Sequence, residues 1–226
     1  LSYLAFVAAL PVLCLHRKTS DGLRQRLGFF RPGELPPDGA PRLWLHGASA
    51  GDLLALSPMI DQLRARLPGA RIIISTITNT GYLMARERLA GQIDAVIYAP
   101  WDLWGATRRA ARAIRPSLLV LEYTEIWPNL IRAAHDSGAR IALTNGRFSP
   151  AKMGRYRALF ALIGNPLADV DLLLMREEDE AERALALGAP RPRVLVTGNT
   201  KFDALVPPQA PEDSALRAAL NLPPGA

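Results

Sequence analysis

A doubly wound α/β domain on a parallel sheet is the fold class that the sequence predicts. Seven short runs rich in β-branched residues and leucine recur along it, and the segments between them carry apolar residues at helical spacing. Runs that are apolar throughout, alternating with amphipathic helices, fit strands covered on both faces. Residues able to do chemistry also gather just past the ends of the runs, where the loops of a parallel sheet diverge around a ligand.

The first run, Leu43–His46, passes through Gly47-Ala48-Ser49-Ala50-Gly51-Asp52 into a helical pattern of Leu56, Met59, Ile60, Leu63 and Leu67, closed by Pro68-Gly69. Two glycines, a serine and a carboxylate at a helix start let amides and side chains converge on a ligand. Asp52 is equally suited to a helix cap. The other runs are Arg71–Thr76, Ala95–Tyr98, Leu118–Glu122, Arg140–Thr144, Asp171–Met175 and Arg193–Thr197. Past the second come Thr76, Thr78, Asn79, Thr80 and Gly81; past the third, Pro100-Trp101-Asp102. The fourth leads into Glu122-Tyr123-Thr124-Glu125-Ile126-Trp127-Pro128-Asn129, the fifth into Asn145-Gly146-Arg147, the seventh into Gly198-Asn199-Thr200-Lys201-Phe202-Asp203. Plainer roles remain open beside ligand binding: a core plug for Trp127, a satisfied structural histidine for His46, solvated charges for Arg147 and Lys201.

Three regions follow. Residues 1–22 hold an apolar stretch, Leu1–Leu15, with a basic flank, His16-Arg17-Lys18. Fifteen residues fall short of the roughly 20 that span a bilayer, so the tail of a membrane anchor, an interfacial helix and a core helix compete. Residues 23–205 form the α/β domain, entered through an extended connector, Arg31–Pro41, with four prolines and two glycines. Residues 206–226, with five prolines, read as a linker. A start at Leu1 and a proline-rich end give the chain the look of a piece of something longer.

Composition narrows the partners. The 226 residues are 49% hydrophobic and 21% charged, an ordinary globular balance, and a net charge of +6 favours an anionic partner. No basic cluster interleaved with aromatics points to nucleic acid. One cysteine, Cys14, rules out an intrachain disulfide, and three dispersed histidines lack metal-ligand spacing. Gly47-Ala48-Ser49-Ala50-Gly51 lacks the glycine spacing of a dinucleotide site, and neither a Walker lysine nor a Gly-x-Ser-x-Gly elbow occurs.

Arg26-Leu27-Gly28, Trp44-Leu45-His46 with Ser49-x-Gly51, Thr76 to Gly81, Pro100-x-Asp102, Thr124 to Asn129, Asn145-Gly146-Arg147-Phe148-Ser149 and Gly198 to Asp203 together resemble the 3-deoxy-D-manno-octulosonic acid (Kdo) transferases of lipopolysaccharide assembly. The resemblance implies a Rossmann-like, N-terminal half of a two-domain B-type glycosyltransferase. It implies an inverting enzyme that takes Kdo from CMP-Kdo, its donor substrate, to a lipid A precursor at the cytoplasmic face of the bacterial inner membrane, with no cofactor or metal. The N-terminal domain then binds the acceptor against an anionic membrane surface. A separate C-terminal domain binds the nucleotide sugar, and the N-terminal piece alone does not turn over.

The catalytic base expected from the resemblance is Asp52, with Ser49, Gly51, Thr78, Glu125, Trp127, Asn129 and Arg147 at the acceptor and Asn199 and Lys201 facing the donor side. Two positions depart from the family pattern. Asp52 stands where the family has glutamate, which pulls the carboxylate back by ~1.5 Å, and misplacement of about 1 Å can cost a hundredfold in rate. Tyr123 replaces a glutamate, and Glu122, one place earlier, points to the other face if the strand continues. A glycolipid-binding module without activity, or a different sugar-nucleotide transferase on the same fold, are the competing functions.

Overall fold

The computed structural model describes residues 21–202, with only the backbone of Lys201. The apolar stretch and the linker therefore lie outside the described residues. All seven strands form: β1 Arg42–His46, β2 Arg71–Thr76, β3 Ala95–Tyr98, β4 Leu118–Glu122, β5 Arg140–Gly146, β6 Leu172–Met175 and β7 Val194–Val196. They pair in parallel in the order β3-β2-β1-β4-β5-β6-β7. The order reverses between β1 and β4, which opens a crevice at their carboxyl ends.

A short helix, α1 (Leu23–Arg26), precedes the sheet, and α2 (Ala50–Arg66), α3 (Asn79–Arg88), α4 (Trp104–Ile114), α5 (Pro128–Asp136), α6 (Met153–Ile163) and α7 (Glu178–Ala186) connect the strands. Strand side chains alternate between two cores. Leu43, Leu45, Ile72, Ile74 and Val120 pack under Leu53, Leu56 and Ile60 of α2 and Ala85 of α3. Trp44, Ile73, Leu119, Leu121, Ile141 and Leu173 pack under α4, α5 and α7. Each such side chain contributes about 1.5–3 kcal/mol by leaving water. Among the described residues, no helix is long and apolar enough to cross a membrane.

Arg26 anchors the entry to the sheet. Its fully buried guanidinium donates to the Asp21 and Ile77 carbonyls and lies over the Tyr98 ring, while its own carbonyl accepts from Trp101. The Arg26-Leu27-Gly28 motif is thus a clamp on the β2 and β3 ends. The connector is fastened by Arg42, which donates to Pro36, Ala113 and Ile114 carbonyls and to Asp38.

At the amino-terminal ends of β2 and β3, Asp94 accepts from Arg64, Arg71 and the Ile72 amide. Burial raises its carboxyl pKa, but these bonds outweigh burial and hold it below the ordinary value. A lowered folded-state pKa gives stability that is complete above the unfolded value and lost as pH falls through the folded one. Asp94→Asn is therefore expected to lower the melting temperature at pH 7, with the gap to the parent closing below about pH 4, as thermal unfolding across pH would show.

Candidate functional site

The β1–α2 turn is built by close packing. A Cβ on Gly47 would stand 2.9 Å from Leu53 Cδ2 and 3.1 Å from Asp52 Cβ, so only glycine lets the turn fold onto that carboxylate. Ser49 takes the N-cap and Asp52 the third helical position of a capping box. Asp52 Oδ2 accepts from the Ser49 amide and hydroxyl, each at 2.8 Å, so among the described residues its hydrogen bonds fall on one oxygen. Cap and ligand are alternatives in the sequence; here one side chain both caps the helix and lines the crevice.

Thr76 to Gly81 supports this turn from behind. Thr76 Oγ1 and the Ile77 amide both donate to the Ala48 carbonyl. Thr78 caps α3 by accepting from the Gly81 amide. Any side chain on Gly81 would meet Thr76 Oγ1 at 2.5 Å. Thr78 is thereby committed to the scaffold, one layer away from the crevice.

Past β4 the backbone turns left-handed at Tyr123, φ 56°, which breaks the alternation of the strand. Glu122 is fully buried and accepts from Thr144 Oγ1 at 2.6 Å and Asn145 Nδ2 at 2.5 Å. Tyr123, by contrast, lines the crevice. Glu125 Oε2 accepts from Trp127 Nε1 at 2.7 Å and stands 3.7 Å from His46 Nε2. Burial raises the Glu125 carboxyl pKa, but the facing His46 and the indole bond bring it below its ordinary value. Trp127 packs its ring edge-on to His46 and holds Glu125 in place.

Asn145 is also left-handed, φ 50°, at a shift of register between β5 and β6. Its Nδ2 donates to Thr200 Oγ1, the Thr200 amide returns a bond to Oδ1, and Thr200 Oγ1 donates on to the Ala55 carbonyl of α2. The turn after β7 is in this way tied to the helix that carries Asp52. Arg147 and Ser149 follow β5, and Arg176 follows β6 with its fork held by Glu180 at 2.7 and 3.1 Å.

The crevice these elements enclose has a volume of about 620 Å³. Among the described residues, Asp52 and Glu125 are its acids and Arg147, Lys152 and Arg176 its cations, and the lining also includes Tyr123, Tyr156 and Asn199. Of the residues expected at a ligand, Asp52, Glu125, Arg147 and Asn199 thus line one cavity, with Ser49 bonded to Asp52 and Gly51 exposed in the same turn. The side chain of Lys201 lies outside the described residues. Arg176, the first residue past β6, is open to the strand-end rule that finds the others; Lys152 and Tyr156 arrive on a 3-10 turn (Pro150–Lys152) and on α6, which carry no local signal.

Asn129 sits apart from the crevice. Its side chain donates to the Asp102 carbonyl at 2.7 Å, while the Asp102 carboxylate accepts from the Asn129 and Leu130 amides at the start of α5. Asp102 thereby caps a helix from a neighbouring loop. Asp102→Ala is expected to cost about 1–2 kcal/mol, read as a lower denaturation midpoint with unchanged slope.

A Rossmann-like parallel sheet with a polar crevice at its switch point is the fold class of this chain. UDP-GlcNAc 2-epimerase from Neisseria meningitidis shares the fold with a TM-score of 0.54 at 14% identity, over 72% of this chain and 48% of that one. A Staphylococcus aureus MnaA structure with UDP gives 0.54 at 13% over 80% and 51%. Such distant likeness establishes the fold alone.

Residues 21–204 match the family model described as 3-deoxy-D-manno-octulosonic-acid transferase, and the chain belongs to that family. It is 32% identical to the Chlamydia pneumoniae enzyme over 87% of this chain and 46% of that one. The Haemophilus influenzae enzyme is 29% identical over 80% and 42%. The chain spans about half the length of the curated relatives it matches.

Proposed function

We propose that this chain is the acceptor-binding half of an inverting glycosyltransferase that moves Kdo from CMP-Kdo to a lipid A precursor. The observation that carries the reading is that Asp52 lines one crevice at the switch point together with three cations, Arg147, Lys152 and Arg176. In the proposed step Asp52 takes the proton of an acceptor hydroxyl. The freed oxygen bonds to the anomeric carbon of Kdo, and the bond to CMP breaks on the opposite face, its electrons leaving with the phosphate. Glu125 accepts a hydrogen bond from the acceptor, held by Trp127, and Asn129 keeps α5 in register through Asp102. The cations receive acceptor phosphate or Kdo carboxylate. Asn199 and Lys201 lie on the donor side, toward a C-terminal nucleotide-sugar domain.

A lipid acceptor is supported by α6, which leaves Leu159, Leu162 and Ile163 exposed, Leu162 by 81%, beside Lys152, Arg155 and Arg157. Apolar residues flanked by cations suit an anionic membrane surface, on the cytoplasmic face of the bacterial inner membrane in this reading. The test is turnover by the full-length protein with CMP-Kdo and a lipid A precursor in mixed micelles. Transfer of Kdo with release of CMP is the expected result; transfer only from other sugar nucleotides overturns the donor. Binding of the glycolipid without transfer would favour a silent binding module, the reading that the aspartate at position 52 supports.

A further inference from the structure

His46 is 1% exposed, yet among the described residues its Nε2 has no hydrogen-bond partner within normal distance and stands 3.7 Å from Glu125 Oε2. Its other nitrogen, Nδ1, lies 2.9 Å from Ser75 Oγ. That hydroxyl already accepts from Trp44 Nε1 at 2.8 Å. An indole nitrogen only donates, so it takes one lone pair of the hydroxyl and leaves the hydroxyl's own hydrogen free to point at Nδ1, the arrangement on which the proposal below rests. A neutral imidazole that accepts at Nδ1 carries its proton at Nε2, on the Glu125 side. Ser75 faces His46 in the β1–β2 register, which fixes the whole chain of groups to the rigid centre of the sheet.

We propose that His46 is a positioning residue for the acceptor site, set in its tautomer by Ser75 and Trp44, with its Nε2–H directed at Glu125. With the Trp127 indole it holds Glu125 Oε2 toward the protein. Among the described residues, the one hydrogen bond to the Glu125 carboxylate falls on that oxygen, which leaves Oε1 for an acceptor hydroxyl in the crevice. The gap of 3.7 Å shortens as the acceptor excludes water, as bonds of this kind tighten in substrate complexes. The inference rests on the acceptor reading of the crevice, and it adds to that reading a device for aiming the second carboxylate.

Two measurements test it on the full-length protein. ¹⁵N NMR of labelled histidine needs no substrate: His46 is expected with Nδ1 unprotonated and Nε2 protonated, and Ser75→Ala is expected to mix the tautomers. A single Nδ1–H tautomer overturns the relay whatever the enzyme transfers. In kinetics, His46→Ala is expected to raise the acceptor KM about tenfold with kcat within twofold. His46→Gln, whose amide N–H replaces Nε2–H, is expected to restore most of that loss. Equal loss in the two variants, or an unchanged KM in His46→Ala, overturns the positioning role. Failure of the acceptor reading is separately visible, because it would leave Asp52→Asn active.

Discussion

Asp52→Asn in the full-length protein is expected to reduce turnover by about 10²–10⁴-fold while the melting temperature changes by no more than a few degrees. Asparagine keeps the length of the side chain and one carbonyl oxygen, so it can still accept from the Ser49 amide and hydroxyl that bond Oδ2. What it loses is the second oxygen's capacity to take a proton. Stability and activity are thus separated by the two oxygens of one group, and steady-state transfer alongside thermal unfolding measures both. Turnover within a few-fold of the parent would remove Asp52 from the role of base. Asp52→Glu restores the residue type of the family and is expected to retain transfer, because the longer side chain reaches further into the crevice from the same helical position.

The largest expected loss of stability comes from Glu122→Ala. The Glu122 carboxylate is the shared acceptor for Thr144 and Asn145, and Asn145 in turn holds Thr200. Removing it leaves one Asn145 N–H without its acceptor, leaves Thr144 Oγ1 with only a long 3.4 Å contact to the Leu121 carbonyl, and opens a cavity between β4 and β5 at buried positions. About 2–4 kcal/mol is the expected cost, or about 4–16 °C in melting temperature for a domain of this size. Glu122→Gln, which keeps an acceptor oxygen, is expected to lose less than half as much. A shift under 2 °C for the alanine variant would show that Thr144 and Asn145 find other partners.

The sheet was legible because its signals are local and redundant. Leu43, Leu45, Ile72 and Ile74 are apolar on one face while Trp44 and Ile73 are apolar on the other, a pattern that only a strand covered on both sides sustains. Strand ends also gathered residues that lie together in space, since Asp52, Glu125, Arg147 and Asn199 line one crevice. Sequence does not record where a polar side chain spends its hydrogen bonds. Thr78 and Asn129 have the same chemistry as ligands, but one caps α3 and the other reaches Asp102. The division between Glu122 and Tyr123 depends on a left-handed residue that neither side chain announces. A satisfied structural histidine is one reading the sequence leaves open for His46; among the described residues, only its Nδ1 has a partner at bonding distance.

The bond from Thr200 to Ala55 joins residues 145 positions apart, whereas Asn145 and Glu122 are 23 apart. Loop closure over the longer span costs about 1.6 kcal/mol more, at roughly 0.6 kcal/mol per doubling. Contacts of such long range form after local ones repay the entropy of collapse. The wall of the crevice that carries Asn199 is therefore assembled late in folding, once α2 and β5 stand ready to receive Thr200. A chain still emerging during synthesis carries Asp52 on a finished helix well before it carries a finished site.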